Sequence, residues 1–186
     1  MTSKQTIIIG IDDAKIFELT ADSDSSGDNV LTYATAIEVP NIQKMELTDV
    51  VTEKPLSKDE QVFDYSVKRD YIAWAFQSAK ISLDALAILE GGAVTTTGVT
   101  PNQVNTYSIT ESSIPKYFKL EAKANYSAGE VGDFHLKLYK CKANNIDIQY
   151  VANDYAIVSV TGVAIPTKHD GRIKDYVINE TPSEII

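Results

Sequence analysis

Apolar and polar positions alternate with period two along most of the chain, which reads as half-buried strand. Residues 71–79 set Ile72, Trp74, Phe76 and Ser78 against Tyr71, Ala73, Ala75 and Gln77, so three large apolar groups share one face and Trp74 reads as a packing anchor. The strongest strand signals are residues 117–124, 134–142 and 155–166, separated by turns bearing Gly, Asn or Asp. In the first two, Phe118, Leu120, Ala122 and Ala124, then Phe134, Leu136 and Leu138, occupy one face, with lysines opposite. Lys116, Lys119, Lys123, Lys137, Lys140 and Lys142 are therefore expected on a solvated strand face and not in a nucleic-acid patch. Further strands are expected at residues 30–39, 42–47 and 61–67, with a hairpin or bent strand within residues 5–20 and a last strand after the Asp170, Gly171 turn.

One stretch breaks this period. KISLDALAILEGG, residues 80–92, predicts a helix over about residues 82–90: Ser82 can cap it, Asp84 suits the positive end of its dipole, and Gly91 can end it. Leu83, Leu86, Ala87 and Glu90 fall on one face, with Ala85, Ile88 and Leu89 beside them, so the helix must pack, and Leu83, Leu86 and Leu89 are its expected core contacts. The fold class is mainly β with one short helix.

Four segments carry neither period. Residues 21–29 read as an exposed loop, where Asp22, Asp24, Ser26 and Gly27 copy half a calcium-binding loop whose bidentate glutamate position holds Tyr33, so no metal is expected. Residues 48–60, TDVVTEKPLSKDE, lose alternation around Pro55 and read as a long loop. Such loops in compact domains tend to be functional, which makes Thr48, Asp49, Val51, Glu53, Lys54, Leu56, Lys58, Asp59 and Glu60 the candidate contact surface. Residues 91–105 read as a turn-rich connector, and residues 181–186 as a flexible C-terminal tail.

Composition narrows the chemistry. The 186 residues suit one domain, the single cysteine excludes an internal disulfide framework, and the isoleucine run near the start is too short for a signal peptide or a membrane span. A soluble protein of intracellular origin is expected. Net charge is −9, concentrated in residues 1–93, which carry 16 acids and 8 bases. An acidic chain lacks the footprint for gripping phosphate backbones. Nucleophile elbows, phosphate-cradling glycine loops, dinucleotide fingerprints and zinc motifs are absent from the sequence, and only His135 and His169 offer a neutral-pH base. Neither an enzyme nor a cofactor is expected.

The order of pieces is itself informative. A β-rich first half with a charged loop, then AKISLDALAILEGG, TPNQVNTYSI, PKYFKLEAKA, GDFHLKLYKCKA and AIVSVTGVAIP, resembles the major tail protein, or tail tube protein, of long-tailed bacteriophages over roughly residues 10–180. The resemblance implies two packed, mostly antiparallel sheets flanked by the helix, in a single tail-tube domain spanning residues 1–186. It implies hexameric rings that stack into a tube for DNA ejection, with residues 48–60 as the inter-subunit arm and the helix outside the barrel. It further implies a virion location after assembly in the bacterial cytoplasm, with tape measure and tail-end proteins as neighbours, DNA passing without specific binding, and no membrane. If the inner strands come from the acidic first half, Glu38, Glu46 and Asp64 are the candidate lumen-facing acids. The alternative is a sugar- or protein-binding β-sandwich of a tail fibre or adhesion apparatus, using some of the ten tyrosines as a platform.

Overall fold

The strand-forming residues assemble, in a computed structural model describing residues 8–25, 28–58, 61–80, 82–126, 132–150, 152 and 155–185, into eleven strands and one helix. In chain order they are β1 (Ile8–Ser25), β2 (Asp28–Tyr33), β3 (Ile37–Glu38), β4 (Ile42–Lys58), β5 (Gln61–Ser78), α1 (Leu83–Leu89), β6 (Ala93–Thr97), β7 (Val104–Ser108), β8 (Phe118–Tyr126), β9 (Asp133–Gln149), β10 (Ile157–Ala164) and β11 (Lys174–Asn179). Nine strands form one antiparallel sheet in the order β2-β1-β8-β9-β10-β5-β4, with β3 added to β1 and β11 to β9; β6 and β7 form a separate two-stranded ribbon. The chain is mainly β, as its alternation predicts.

The large sheet folds over itself at β9. The first part of β9, Asp133 to Leu138, pairs with β8 on one side and β11 on the other, and its remainder pairs with β10. Two half-sheets result, β1-β8-β9 and β9-β10-β5-β4, and their facing sides form one core in a sandwich-like arrangement. Ile16, Phe118, Leu120 and Leu138 come from one half, and Ile72, Trp74, Phe76 and Val160 from the other. Trp74 is the expected anchor: it stacks on Phe76 at 5.8 Å and meets Phe118 edge-on at 5.7 Å. A Cβ on Gly162 would come within 2.3 Å of both the Trp74 ring and the Lys142 carbonyl, so only glycine lets the indole lie there.

Helix α1 forms as its caps predict. The Ser82 hydroxyl accepts from Ala85 N at 3.3 Å, and the chain leaves through Gly91 at φ +77°, where a Cβ would collide with Ile114 O at 2.0 Å. Its buried residues are Ala85, Leu86, Ile88 and Leu89, whereas Leu83, Ala87 and Glu90 are half-buried. The packing face is thus rotated from the expected one. It sits over Pro40, Phe76, Ser78, Val158 and Val160, covering the core at the Ser78 end of β5.

Several expectations need correction. Residues 48–58 are not a loop but the outer part of β4, paired with β5 as far as Lys58 and Gln61. Of the two forms expected within residues 5–20, the described part, from Ile8, takes the bent strand, because β1 carries an irregularity between Ile9 and Asp13. Its far end, Ala21 to Ser25, pairs with β2 where a loop is expected. The single strand expected at residues 30–39 is split into β2 and β3, and the connector contains the β6–β7 hairpin.

Leu86 is 6% exposed, so Leu86→Ala is expected to cost about 2–5 kcal/mol of stability in denaturant unfolding. A change below about 0.5 kcal/mol would mean that the helix contributes little to the core.

Candidate functional site

The long hairpin reads as an arm. Up to Val50 and Tyr71, β4 and β5 are wall strands: Met45 and Leu47 face the core opposite Phe76 and Trp74. A register shift leaves Asp70 without an opposite residue, and beyond it the two strands continue as a ribbon for about 25 Å, at 3.3 Å per residue. From Val51 to Leu56 and from Asp64 to Arg69 every residue is exposed. Paired residues share a face. One side therefore carries Val51 with Arg69, Glu53 with Val67 and Pro55 with Tyr65; the other carries Thr52 with Lys68, Lys54 with Ser66 and Leu56 with Asp64. Large apolar groups stand in water there: Leu56 is 55% exposed, Tyr65 52% and Val67 55%.

The base of the arm is fixed. Asp49 takes Arg69 Nη2 at 2.9 Å on one carboxylate oxygen and Lys174 Nζ at 2.9 Å on the other, tying β4 to β11. The Lys174 hydrogen bond holds the Asp49 carboxyl below its ordinary value. The Thr52 hydroxyl donates to Asp70 across the register shift, and the Tyr65 hydroxyl donates to Glu53 along the ribbon. Of the candidate contact residues, Thr48 and Asp49 belong to the base and Val51, Glu53, Lys54 and Leu56 to the arm itself. The Lys58 side chain, Asp59 and Glu60 lie outside the described residues.

The three candidate lumen acids do not share a surface. Glu38 lies on β3, in register with Lys15, beside a cleft of about 360 Å³ where β1 approaches β4. Glu46 is on the outward face of β4, its carboxylate 2.6 Å from Lys44 Nζ. Asp64 is on the arm, where its carboxylate accepts Tyr65 N at 2.8 Å.

The lysine-bearing face of β8 and β9 is not the solvated face its pattern suggests. Glu121, 2% exposed, lies 3.0 Å from both Lys119 Nζ and Lys137 Nζ and 2.9 Å from His135 Nδ1. Lys119 also sits 3.7 Å above the Phe17 ring, and Lys140 meets Asp22 at 2.5 Å. Asp22, read from the sequence as part of an incomplete calcium loop, is occupied: besides Lys140 it accepts the amides of Lys168 and His169 at 2.8 and 3.0 Å. This polar layer is internal, and each buried charge has partners, as burial demands.

The C-terminal segment completes the layer instead of trailing as a flexible tail. Ser183 N donates to Asp133 at 2.6 Å, Asn179 Nδ2 donates to Asp133 at 2.7 Å, and Ser183 Oγ lies 3.3 Å from His135 Nε2. Lys15 Nζ donates to Ile185 O at 3.1 Å, and the Ile185 side chain is buried. No sequence signal marks this docking, because Ser183 and Ile185 gain meaning only beside residues some fifty and 170 positions away. Among the described residues no group of His, Cys, Asp and Glu is arranged to hold a metal ion, and no helix is long and apolar enough to cross a membrane.

Neither a known protein family nor a curated protein matches the chain in sequence.

Burial alone would raise the Glu121 carboxyl, but hydrogen bonds from His135, Lys137 and Lys119 hold it below its ordinary 4.5. Burial would likewise raise Asp133, and Ser183 N, Asn179 and His135 hold it below 3.8. A depressed folded-state value stabilises above the unfolded value and is lost as pH falls through the folded one. Stability from these two groups is therefore expected to hold from pH 7 down to about 5 and to fall progressively in stronger acid. Unfolding measured against pH should show a shallower acid limb in Asp133→Asn; an unchanged limb would show that Asp133 is not coupled to folding.

Proposed function

We propose that this protein is a self-assembling structural subunit of a bacteriophage tail, forming hexameric rings that stack into the tube through which DNA leaves the particle. The arm is the observation that carries this reading. A two-stranded ribbon alone in water is marginal, and one with Leu56, Tyr65 and Val67 exposed costs hydration free energy until another surface covers it. Beside it, β4 pairs only with β5 among the described residues, leaving a seventeen-residue edge strand open to pairing with another chain. Edge pairing between copies would remove that liability, as closure of a sheet across subunits does in a ring. The family resemblance in residues 79–92 and 132–143 supplies the particular assembly, a tube, and with it the virion location and the tape measure and tail-end partners.

Wall charge needs restating in this light. Glu46 is paired with Lys44, and the outward face beside it, with Ala75, Gln77, Ser159 and Thr161, is polar and small, with Asp147, in register with Ser159, as a further acid. If this face lines the channel, DNA passes because the wall offers no phosphate grip, with less repulsion than three unpaired acids would provide. The second reading, a sugar- or protein-binding module, is favoured by Tyr150 and Tyr155, 76% and 78% exposed at the β9–β10 turn. Glycan binding by a protein that stays monomeric would support that reading.

Replacing residues 52–68 with an Asn-Gly turn should leave a folded β-rich subunit by circular dichroism that forms no tubes in negative-stain electron microscopy, where the wild type does. Normal tubes from the armless variant would remove the arm from the assembly.

A further inference from the structure

We propose that the β6–β7 hairpin is the surface that receives the β4–β5 arm of a second copy of this chain, so that copies join head to tail. The inference rests on the self-assembly reading and adds the arm's docking site. Residues 91–110 contain no Asp, Glu, Lys, Arg or His, although 23% of the chain is charged. Yet this uncharged stretch is a projecting ribbon, exposed except at Val94 and Tyr107 among its strand residues, with Val99 79% and Val104 56% exposed. Neither strand carries the charges or prolines by which exposed edges are usually protected. The apolar exposure continues along the following segment at Ile109, 57%, and Ile114, 68%. Ile109 lines a cleft of about 310 Å³ with Leu89, Pro115, Ala143 and Ile146.

The hairpin is mounted firmly enough to act as a receptor. Tyr107 Oη donates to Glu90 Oε2 at 2.9 Å and lies 3.3 Å from Leu86 O, fixing β7 to α1. Gly92 lets the Tyr107 ring lie against the backbone, since a Cβ there would come within 2.5 Å of it. Position favours the arm as occupant. The arm leaves β5 beyond Ile72, whereas α1, which carries the hairpin, packs at the Ser78 end of the same strand. Charge favours it as well. Residues 48–71 hold six acids and four bases, so two arms meeting each other would oppose like charge, while an uncharged ribbon accepts an arm without that cost. Apolar area then meets apolar area: Val51, Tyr65 and Val67, which share one side of the arm, on one copy, and Val99, Val104 and Ile109 on the next. Because the two patches differ, the contact is heterologous and propagates instead of closing at a dimer.

Two full-length variants test the pairing, one with Tyr65→Asp and Val67→Asp, the other with Val99→Asp and Val104→Asp. All four positions are exposed, so both variants should keep the wild-type circular dichroism and melting temperature. By sedimentation velocity each variant alone should self-associate at least about ten-fold more weakly than wild type, a loss of about 1.4 kcal/mol. Mixed, they should form one-to-one pairs, through the intact hairpin of the first and the intact arm of the second, and stop there. A hairpin variant that assembles at wild-type concentrations, or a mixture with no pairs, overturns the proposal. Electron microscopy separates it from the reading on which it rests. Hollow tubes from the hairpin variant would leave the tube standing and remove this contact. One-to-one pairs in the mixture, with wild-type strands lacking a channel, would keep the contact and remove the tube.

Discussion

Strand β9 is the constraint on which the rest of the structure depends. Its seventeen residues serve two half-sheets, and the face it turns inward must stay apolar while the chain bends from one to the other. It does so by gaining residues. Opposite Phe118 and Leu120, β9 advances three positions where β8 advances two, and opposite Thr161 and Gly162 it skips Asn144. The inward set therefore runs Leu136, Leu138, then Cys141, Ala143, then Ile146, Ile148. Each jump of three marks an irregularity that increases local twist and lets one strand turn the corner of the fold. Cys141 and Ala143 are small at the place where the two halves come together. The Cys141 thiol is fully buried and pushed well above its ordinary value by that burial, which suits a packing role and not a reactive one.

The same device explains which parts of the fold were legible in the sequence. Period-two stretches uninterrupted by an irregularity, such as Ile72, Trp74 and Phe76 or Phe118, Leu120 and Ala122, stand where alternation places them. The helix was legible through Ser82 and Gly91, because capping is local chemistry. Its buried face was less so, since an all-round apolar helix does not say which side packs, and the sheet chose Ala85 and Ile88 over Leu83 and Ala87. The arm's position is legible, but its form is not. Beyond the core its residues have no buried side to alternate toward, so a regular ribbon carries the composition of a loop, and Pro55 is tolerated because among the described residues β4 has one partner strand. The lysine face is illegible for another reason. Lysine opposite apolar positions looks solvated, and nothing local to Lys137 or Lys123 announces that Glu121 and Glu184, from other segments, will pair with them.

Polar layer and arm differ in how completely their groups are partnered within the chain. Within the chain, Glu121, His135 and Asp133 each have internal hydrogen-bond partners, and docked C-terminal residues reach the cluster, so this side of β8 and β9 is finished. The other half is unfinished: among the described residues β4 ends the sheet with β5 as its one partner, and its extension carries apolar side chains into solvent. In the proposed assembly, a chain of net charge −9 with exposed apolar groups on a ribbon and on an uncharged hairpin would meet other copies at those places and repel them elsewhere.

Hydrogen exchange tests this most directly. Backbone amides of β4 between Val51 and Leu56 that do not pair with β5 should exchange rapidly in the isolated subunit and at least about a hundred-fold more slowly in the assembled protein, because they then lie in an interface. Amides of the core strand β8 should differ little between the two states. Equal exchange of the β4 amides in subunit and assembly would contradict the account, since the arm and open edge would then play no part in joining one copy to the next.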